Sequence, residues 1–249
     1  MANINTNYIM NLLFDKDIFY FQPNQLSTLL EININKTYDT IQRLKNKEVI
    51  IEVEKGKYLV VGFDKKRMLS NPFYIATHIV VPSYISYWSV LNYYGFTEQV
   101  PRFIFVATTK QKKQMHFEKF IFKYVQIKRN KLYGYKKEFI DEFPTFIAEP
   151  EKAIIDSIDQ LDYAGGIKEI SKIVKNALDS IDKKILVEYA CKFPNKSMVS
   201  RLGYLFDING VELKKLDRFK SKSFVLLNPK KKKSSSWNKK WNINVNEEL

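Results

Sequence analysis

The 249-residue chain has one cysteine, Cys191, and two histidines, His78 and His116. A lone cysteine forms no intramolecular disulfide framework; on a helix it reads as a buried, inert thiol. Neither histidine sits at a metal-ligand spacing, which argues against a zinc-type centre. Phosphate-binding glycine loops are absent too: Gly165-Gly166 lacks the lysine and the spacing such a loop needs. The serines form no nucleophile-elbow pattern. Asp156 and Asp159 have helical spacing, but one face of a surface helix explains them better than a two-metal site. No apolar run approaches the ~18–20 residues of a membrane span. The start, Met1-Ala2-Asn3-Ile4-Asn5, lacks the basic-then-apolar pattern of a signal peptide. These absences predict a cytoplasmic protein with no catalytic residue, no cofactor, no metal and no membrane partner.

What is present is apolar bulk and positive charge. Hydrophobic residues make up 45% of the chain, enough for a packed core in one large domain or two ordinary ones. The net charge of +14 suggests an anionic partner, and its distribution says more than its total. Residues 1–62 balance to zero, residues 63–137 carry +11, residues 138–213 carry −5, and residues 214–241 carry +10.

The neutral first segment has the most definite pattern. Asn5–Asp15 reads as a helix with Tyr8, Leu12 and Leu13 on its apolar stripe. Pro23–Leu30 reads as a second, with proline at the first position, where its missing N–H is not needed. Asn35–Lys47 reads as a third, burying Ile34, Tyr38, Ile41 and Leu44. Val49–Val61 reads as a hairpin turning at Gly56. Helix-turn-helix followed by hairpin is the order of a winged helix-turn-helix, which presents one helix to the DNA major groove. The opposite face of the third helix carries Asn35, Lys36, Asp39, Thr40, Gln42 and Arg43, side chains that reach base edges and phosphates. Lys55 and Lys57 flank the wing tip. Asp39, Glu48, Glu52 and Glu54 weaken non-specific attraction and keep open a protein-contact role for this module.

Beyond it, Asp64-Lys65-Lys66-Arg67 reads as a basic linker. Ser83 is a fitting helix cap after Pro82, with Gly95 as the stop. Phe103–Thr109, Phe117–Ile127, Leu132–Tyr135 and Phe143–Ala148 read as strands. Lys110, Lys112 and Lys113 mark a basic turn, as readily a guard against sheet-edge aggregation as a nucleic-acid contact. Pro150 marks a helix start, and helices follow around Ile167–Leu178, Lys183–Cys191 and Lys196–Phe206. A strand at Phe224–Leu227 precedes the run Lys230–Lys233, which reads as a mobile loop adding non-specific DNA affinity. The fold expected is α+β: a winged helix-turn-helix over residues 1–62, then a larger mixed α/β domain over 68–249 with a basic segment at 214–241. The residues expected at DNA are Asn35, Lys36, Thr40, Gln42 and Arg43, the wing residues Lys55 and Lys57, the turn residues Lys110, Lys112 and Lys113, and Lys231 and Lys232.

Several motifs carry a family likeness. They are Gly56-Lys57-Tyr58 after the helices, and the block Pro82-Ser83-Tyr84-Ile85-Ser86 through Gly95-Phe96-Thr97-Glu98-Gln99. Val106-Ala107-Thr108, Glu149-Pro150-Glu151-Lys152-Ala153-Ile154-Ile155-Asp156 and Arg201-Leu202-Gly203-Tyr204-Leu205 complete the set. With these, the chain resembles the AbiEi family over about residues 5–245. That family comprises antitoxins of type IV, abortive-infection toxin–antitoxin systems. The resemblance implies an N-terminal winged helix that binds inverted repeats at the operon's own promoter and represses it. It also implies a C-terminal domain that counteracts a nucleotidyltransferase-like toxin. The partners expected are therefore double-stranded DNA and such a toxin. A stand-alone regulator without a toxin, an interaction module, and a DNA-processing enzyme are the other readings the residues leave open.

Overall fold

Asn5 opens the first helix, α1 (Thr6–Asp15), by accepting a hydrogen bond from the Asn7 N–H at 3.0 Å, which satisfies one of the N–H groups a helix start leaves unpaired. The computed structural model describes residues 4–62 and 64–249. After α1 come β1 (Tyr20–Phe21), α2 (Pro23–Leu30), α3 (Ile34–Asn46), β2 (Ile50–Glu54) and β3 (Lys57–Val60). Gln22 and Gln25 form a reciprocal capping box at α2, with Pro23 at its first position. Asn33 caps α3, its Oδ1 accepting from Lys36 N at 2.9 Å. The three short strands pair antiparallel in the order β1-β3-β2. The core between helices and sheet is built from Ile9, Met10, Leu13, Phe21, Leu26, Ile41, Leu44 and Val60, all buried.

Two apolar stripes are corrected. On α1 the buried residues are Thr6, Ile9, Met10 and Leu13, while Tyr8 is exposed. On α3 they are Thr37, Thr40, Ile41 and Leu44, while Ile34 and Tyr38 are exposed. The shift on α3 has a local cause at Thr37. A threonine turns its methyl inward when its hydroxyl bonds to its own helix, as Thr37 Oγ1 does to Asn33 O at 3.0 Å. It can then occupy a core position that hydrophobicity alone assigns to a larger neighbour.

Residues 64–67 are not a linker. Asp64 Oδ1 accepts from Arg67 N at 3.0 Å and caps α4 (Lys65–Leu69). α5 (Pro72–Ile79) follows, Asn71 Oδ1 receiving the Tyr74 N–H at 3.0 Å. One compact unit comprises the chain through Ile79 together with Ile140–Phe143; the other comprises Val80–Phe139 and Pro144–Leu249. They are called unit 1 and unit 2.

Unit 2 is organised around a mixed sheet. Its strands are β4 (Ser83–Ile85), β5 (Ile104–Thr108), β6 (Met115–Phe117), β7 (Phe120–Gln126), β8 (Tyr135–Ile140) and β9 (Phe143–Ala148), with α6 (Tyr87–Tyr93) between β4 and β5. The order is β6-β7-β5-β4-β9-β8. β4 runs antiparallel to β5 and parallel to β9, and β5 runs parallel to β7. Ser83 is thus a strand residue and not a helix cap: strand pairing on both sides of β4 outweighs the local capping signal, and α6 starts at Tyr87. The strand expected at Phe117–Ile127 is β7, starting at Phe120; Phe117 ends β6, and the chain folds back at Glu118, whose φ is +51°. The expected strand at Leu132–Tyr135 starts instead at Tyr135, after a 3₁₀ turn at Arg129–Lys131.

α7 (Pro150–Asp159) packs against α6 and against α8 (Gly166–Ala177), α9 (Lys183–Lys192) and α10 (Lys196–Asp207). The chain then forms a small sheet from β10 (Val225–Leu226), β11 (Trp237–Asn238) and β12 (Ile243–Asn244), with β12 in the middle. Trp241 anchors it: the ring is buried against Gly203 of α10, where a Cβ would lie 2.2 Å from the indole. No helix among the described residues is long and apolar enough to cross a membrane.

Candidate nucleic-acid interface

The third helix of unit 1 has a buried stripe and therefore a defined outer one. Asn35, Asp39, Gln42 and Asn46 follow at i, i+4, i+7 and i+11 and are all exposed. Tyr38 stands beside them at 52% exposure. Gln42 Nε2 donates to Asn46 Oδ1 at 3.2 Å, which orients both amides. Asn46 and Tyr38 were not among the residues expected at DNA. Asn46 was legible from the period of the helix, Tyr38 only once Thr37 is known to take the core position.

The other candidates on α3 divide. Asn35, Lys36 and Gln42 are exposed. Thr40 is 7% exposed and belongs to the core, so its place on the reading face is corrected. Arg43 turns away from the stripe: its Nη2 donates to the carbonyl oxygen of Ile4 at 2.7 Å, and its Nε is buried without a hydrogen-bond partner.

The β2–β3 hairpin carries acid–base pairs. Lys45 of α3 bonds Glu52 at 2.7 Å, and the other Glu52 oxygen accepts the Gly56 N–H at 3.0 Å. This carboxylate joins helix to hairpin turn. The Lys45 hydrogen bond, followed by the Gly56 N–H, holds the Glu52 carboxyl below its usual pKa, and the same bond raises that of Lys45. Lys57 pairs with Glu54 at 3.1 Å. Of the two wing lysines, Lys55 is exposed at the turn and Lys57 is half-covered beside its glutamate. Gly56 has φ +69°, the left-handed conformation this turn requires.

In unit 2, Lys110, Lys112 and Lys113 lie in the connection between β5 and β6, with Lys110 and Lys113 exposed. The Lys230–Lys233 run, expected as a loop, has backbone hydrogen bonds to a distant side chain. Asn246 Nδ2 donates to the carbonyl oxygens of Lys231 and Lys232 at 3.1 and 3.2 Å. The Lys231 side chain pairs with Glu247 at 3.0 Å, while Lys232 is exposed.

The motif Glu149–Asp156 serves the interior of unit 2. Lys152 is buried and ion-paired with Asp156 one turn on; its ammonium lies 5.5 Å from the Tyr84 ring centre, 5.1 Å from Tyr133 and 5.5 Å from Phe193. The second Asp156 oxygen accepts from Tyr84 Oη at 3.0 Å and Ser86 Oγ at 2.8 Å. Burial first, then the nearby Asp156 charge, drives the Tyr84 phenol pKa well up. Asp159 pairs with Lys131 at 2.5 Å and accepts from Asn195 at 2.7 Å. The two aspartates therefore lie on a covered helix and not on a surface face. A cleft of about 490 Å³, lined in part by Asp159, Asp162, Arg201 and Lys230, has its charges answered locally: Lys230 bonds Asp162 at 2.5 Å, and Arg201 Nε donates to Leu226 O at 3.1 Å. Cys191 is half-buried, and burial raises its thiol pKa. Among the described residues no group of three or more His, Cys, Asp or Glu could hold a metal ion.

No protein-family model matches the chain, and no curated protein matches it in sequence. Among solved structures, it is similar to the crystal structure of the RV2827C protein from Mycobacterium tuberculosis, with a TM-score of 0.57 at 12% identity over 98% of this chain and 92% of that one. At that identity the likeness is one of fold.

Proposed function

We propose that the protein is a DNA-binding transcriptional repressor acting at its own promoter, with unit 1 as a winged helix-turn-helix. In this reading α2 and α3 are the paired helices, α3 enters the major groove, and the β2–β3 hairpin is the wing. The observation that carries it is the exposed stripe Asn35, Asp39, Gln42 and Asn46 on a helix whose other side is locked into the core. Amide side chains form two-pronged hydrogen bonds with adenine N6 and N7, so the stripe suits a site with A·T pairs at the contacted positions. Lys45 and Lys57 are occupied by Glu52 and Glu54, so unit 1 contributes little charge attraction. Affinity then draws on cations elsewhere in the chain, and salt dependence reports them.

The resemblance to AbiEi antitoxins extends the proposal to an operon partner, a nucleotidyltransferase-like toxin that unit 2 counteracts. Electrophoretic mobility shift with the gene's own upstream region tests the repressor. Co-expression with the adjacent reading frame, scored by growth, tests the antitoxin. A sequence-selective shift with no growth effect leaves a stand-alone regulator.

A further inference from the structure

The small sheet at the end of unit 2 holds an aromatic pair that the core does not use. Phe224, just before β10, and Trp237, on β11, pack edge to face with ring centres 4.8 Å apart. Both stay open to solvent, at 48% and 44% exposure. Trp241, four residues further on, does the anchoring and is buried, so Trp237 is not needed to attach the sheet. The segment 214–241 carries a net +10. Three of its lysines are taken by acids: Lys230 by Asp162, Lys231 by Glu247 and Lys240 by Asp207. Lys222, Lys232, Lys233 and Lys239 are exposed and make no ion pair among the described residues.

We infer that this sheet is a binding surface for single-stranded nucleic acid, with Phe224 and Trp237 stacking unpaired bases and the open lysines neutralising the phosphates. Exposed aromatic side chains in a segment with an excess of ammonium groups match the two halves of a nucleotide, a flat base and an anionic linker. A duplex keeps its base faces stacked inside, so it offers this surface only phosphates. An anionic membrane would also attract lysines and rings, but it calls for a broad apolar face. Here the two exposed rings share their segment with exposed Ser223, Ser235 and Ser236. This inference is independent of the promoter reading, which rests on α3.

The test uses the full chain, fluorescein-labelled oligo(dT) of about twenty nucleotides, and an unrelated duplex of equal length, both followed by anisotropy. Trp237→Ala is expected to weaken oligo(dT) binding by about 5- to 150-fold, the range for one lost base stack, with duplex binding changed less than twofold. Trp237→Phe retains a stacking face and should bind within a few-fold of wild type. Phe224→Leu should weaken oligo(dT) in the same direction, and circular dichroism shows whether each variant is folded. If the unaltered chain does not bind oligo(dT), or a folded Trp237→Ala chain loses oligo(dT) and duplex equally, the inference fails. It fails too if the folded Trp237→Ala and Phe224→Leu chains keep oligo(dT) affinity, even if phosphatidylserine vesicles are then released.

Discussion

Arg43 reaches back along the chain to Ile4, its Nη2 donating to the Ile4 carbonyl oxygen at 2.7 Å. A residue that sequence places at base edges is thus a strut between α3 and the segment before α1. Arg43→Ala should lower the stability of the protein by about 1.5–3 kcal/mol, the cost of losing a hydrogen bond to a charged group. Its preference for operator over unrelated DNA should hold. Urea denaturation and competitive mobility shift measure the two effects separately.

Glu52 restrains the positive charge of unit 1. Glu52→Gln removes the carboxylate that holds Lys45 and should strengthen non-specific duplex binding, with the salt slope growing by about one phosphate contact. Acid should act in the same direction. The Glu52 carboxyl titrates below its usual value in the folded chain. The pairing is therefore complete at neutral pH and is lost as the pH falls through that lowered value. Affinity measured from pH 7 downward checks the sign, with the Glu52→Gln chain as the flat control.

Lys152 and Asp156 form an ion pair with no solvent access. Lys152→Met leaves a buried carboxylate facing only the two hydroxyls of Tyr84 and Ser86. The expected cost is about 3–5 kcal/mol. The change should act on stability first, read by thermal unfolding followed at more than one wavelength.

Gly203 touches Trp241 so closely that a methyl group has no room. Gly203→Ala should cost about 1–3 kcal/mol through overpacking. The penalty should shrink in a Trp241→Leu background, where the colliding ring atoms are gone, because residues in contact are not additive. Equal penalties in both backgrounds would show that the glycine matters for another reason.

The sequence makes helices more legible than strands, for a physical reason. α2 starts at Pro23 and α7 at Pro150 because proline suits a first turn wherever the helix later packs. β4 was invisible because a three-residue strand is defined by its neighbours, β5 and β9, which lie far along the chain. At the candidate site the exposed face of α3 was legible in part. Asn35, Lys36 and Gln42 lie outside as the periodicity implies, whereas Thr40 lies inside, a small β-branched residue whose methyl suits a core position. The contacts of Arg43 and of the Lys230–Lys233 run were illegible for a shared reason. Their partners, Ile4 and Asn246, are distant in sequence, and no local pattern announces them.

The central claim is that the outer stripe of α3 reads DNA. Its most direct test is footprinting and competitive mobility shift on the gene's own upstream region, comparing the full chain with Asn35→Ala and Gln42→Ala variants. The account predicts a protected inverted repeat and a loss of discrimination of about 1–3 kcal/mol for each variant whose amide pairs with a base, with non-specific affinity unchanged. It is contradicted if no sequence-selective complex forms at low salt, or if the doubly substituted chain prefers the same site by the same margin.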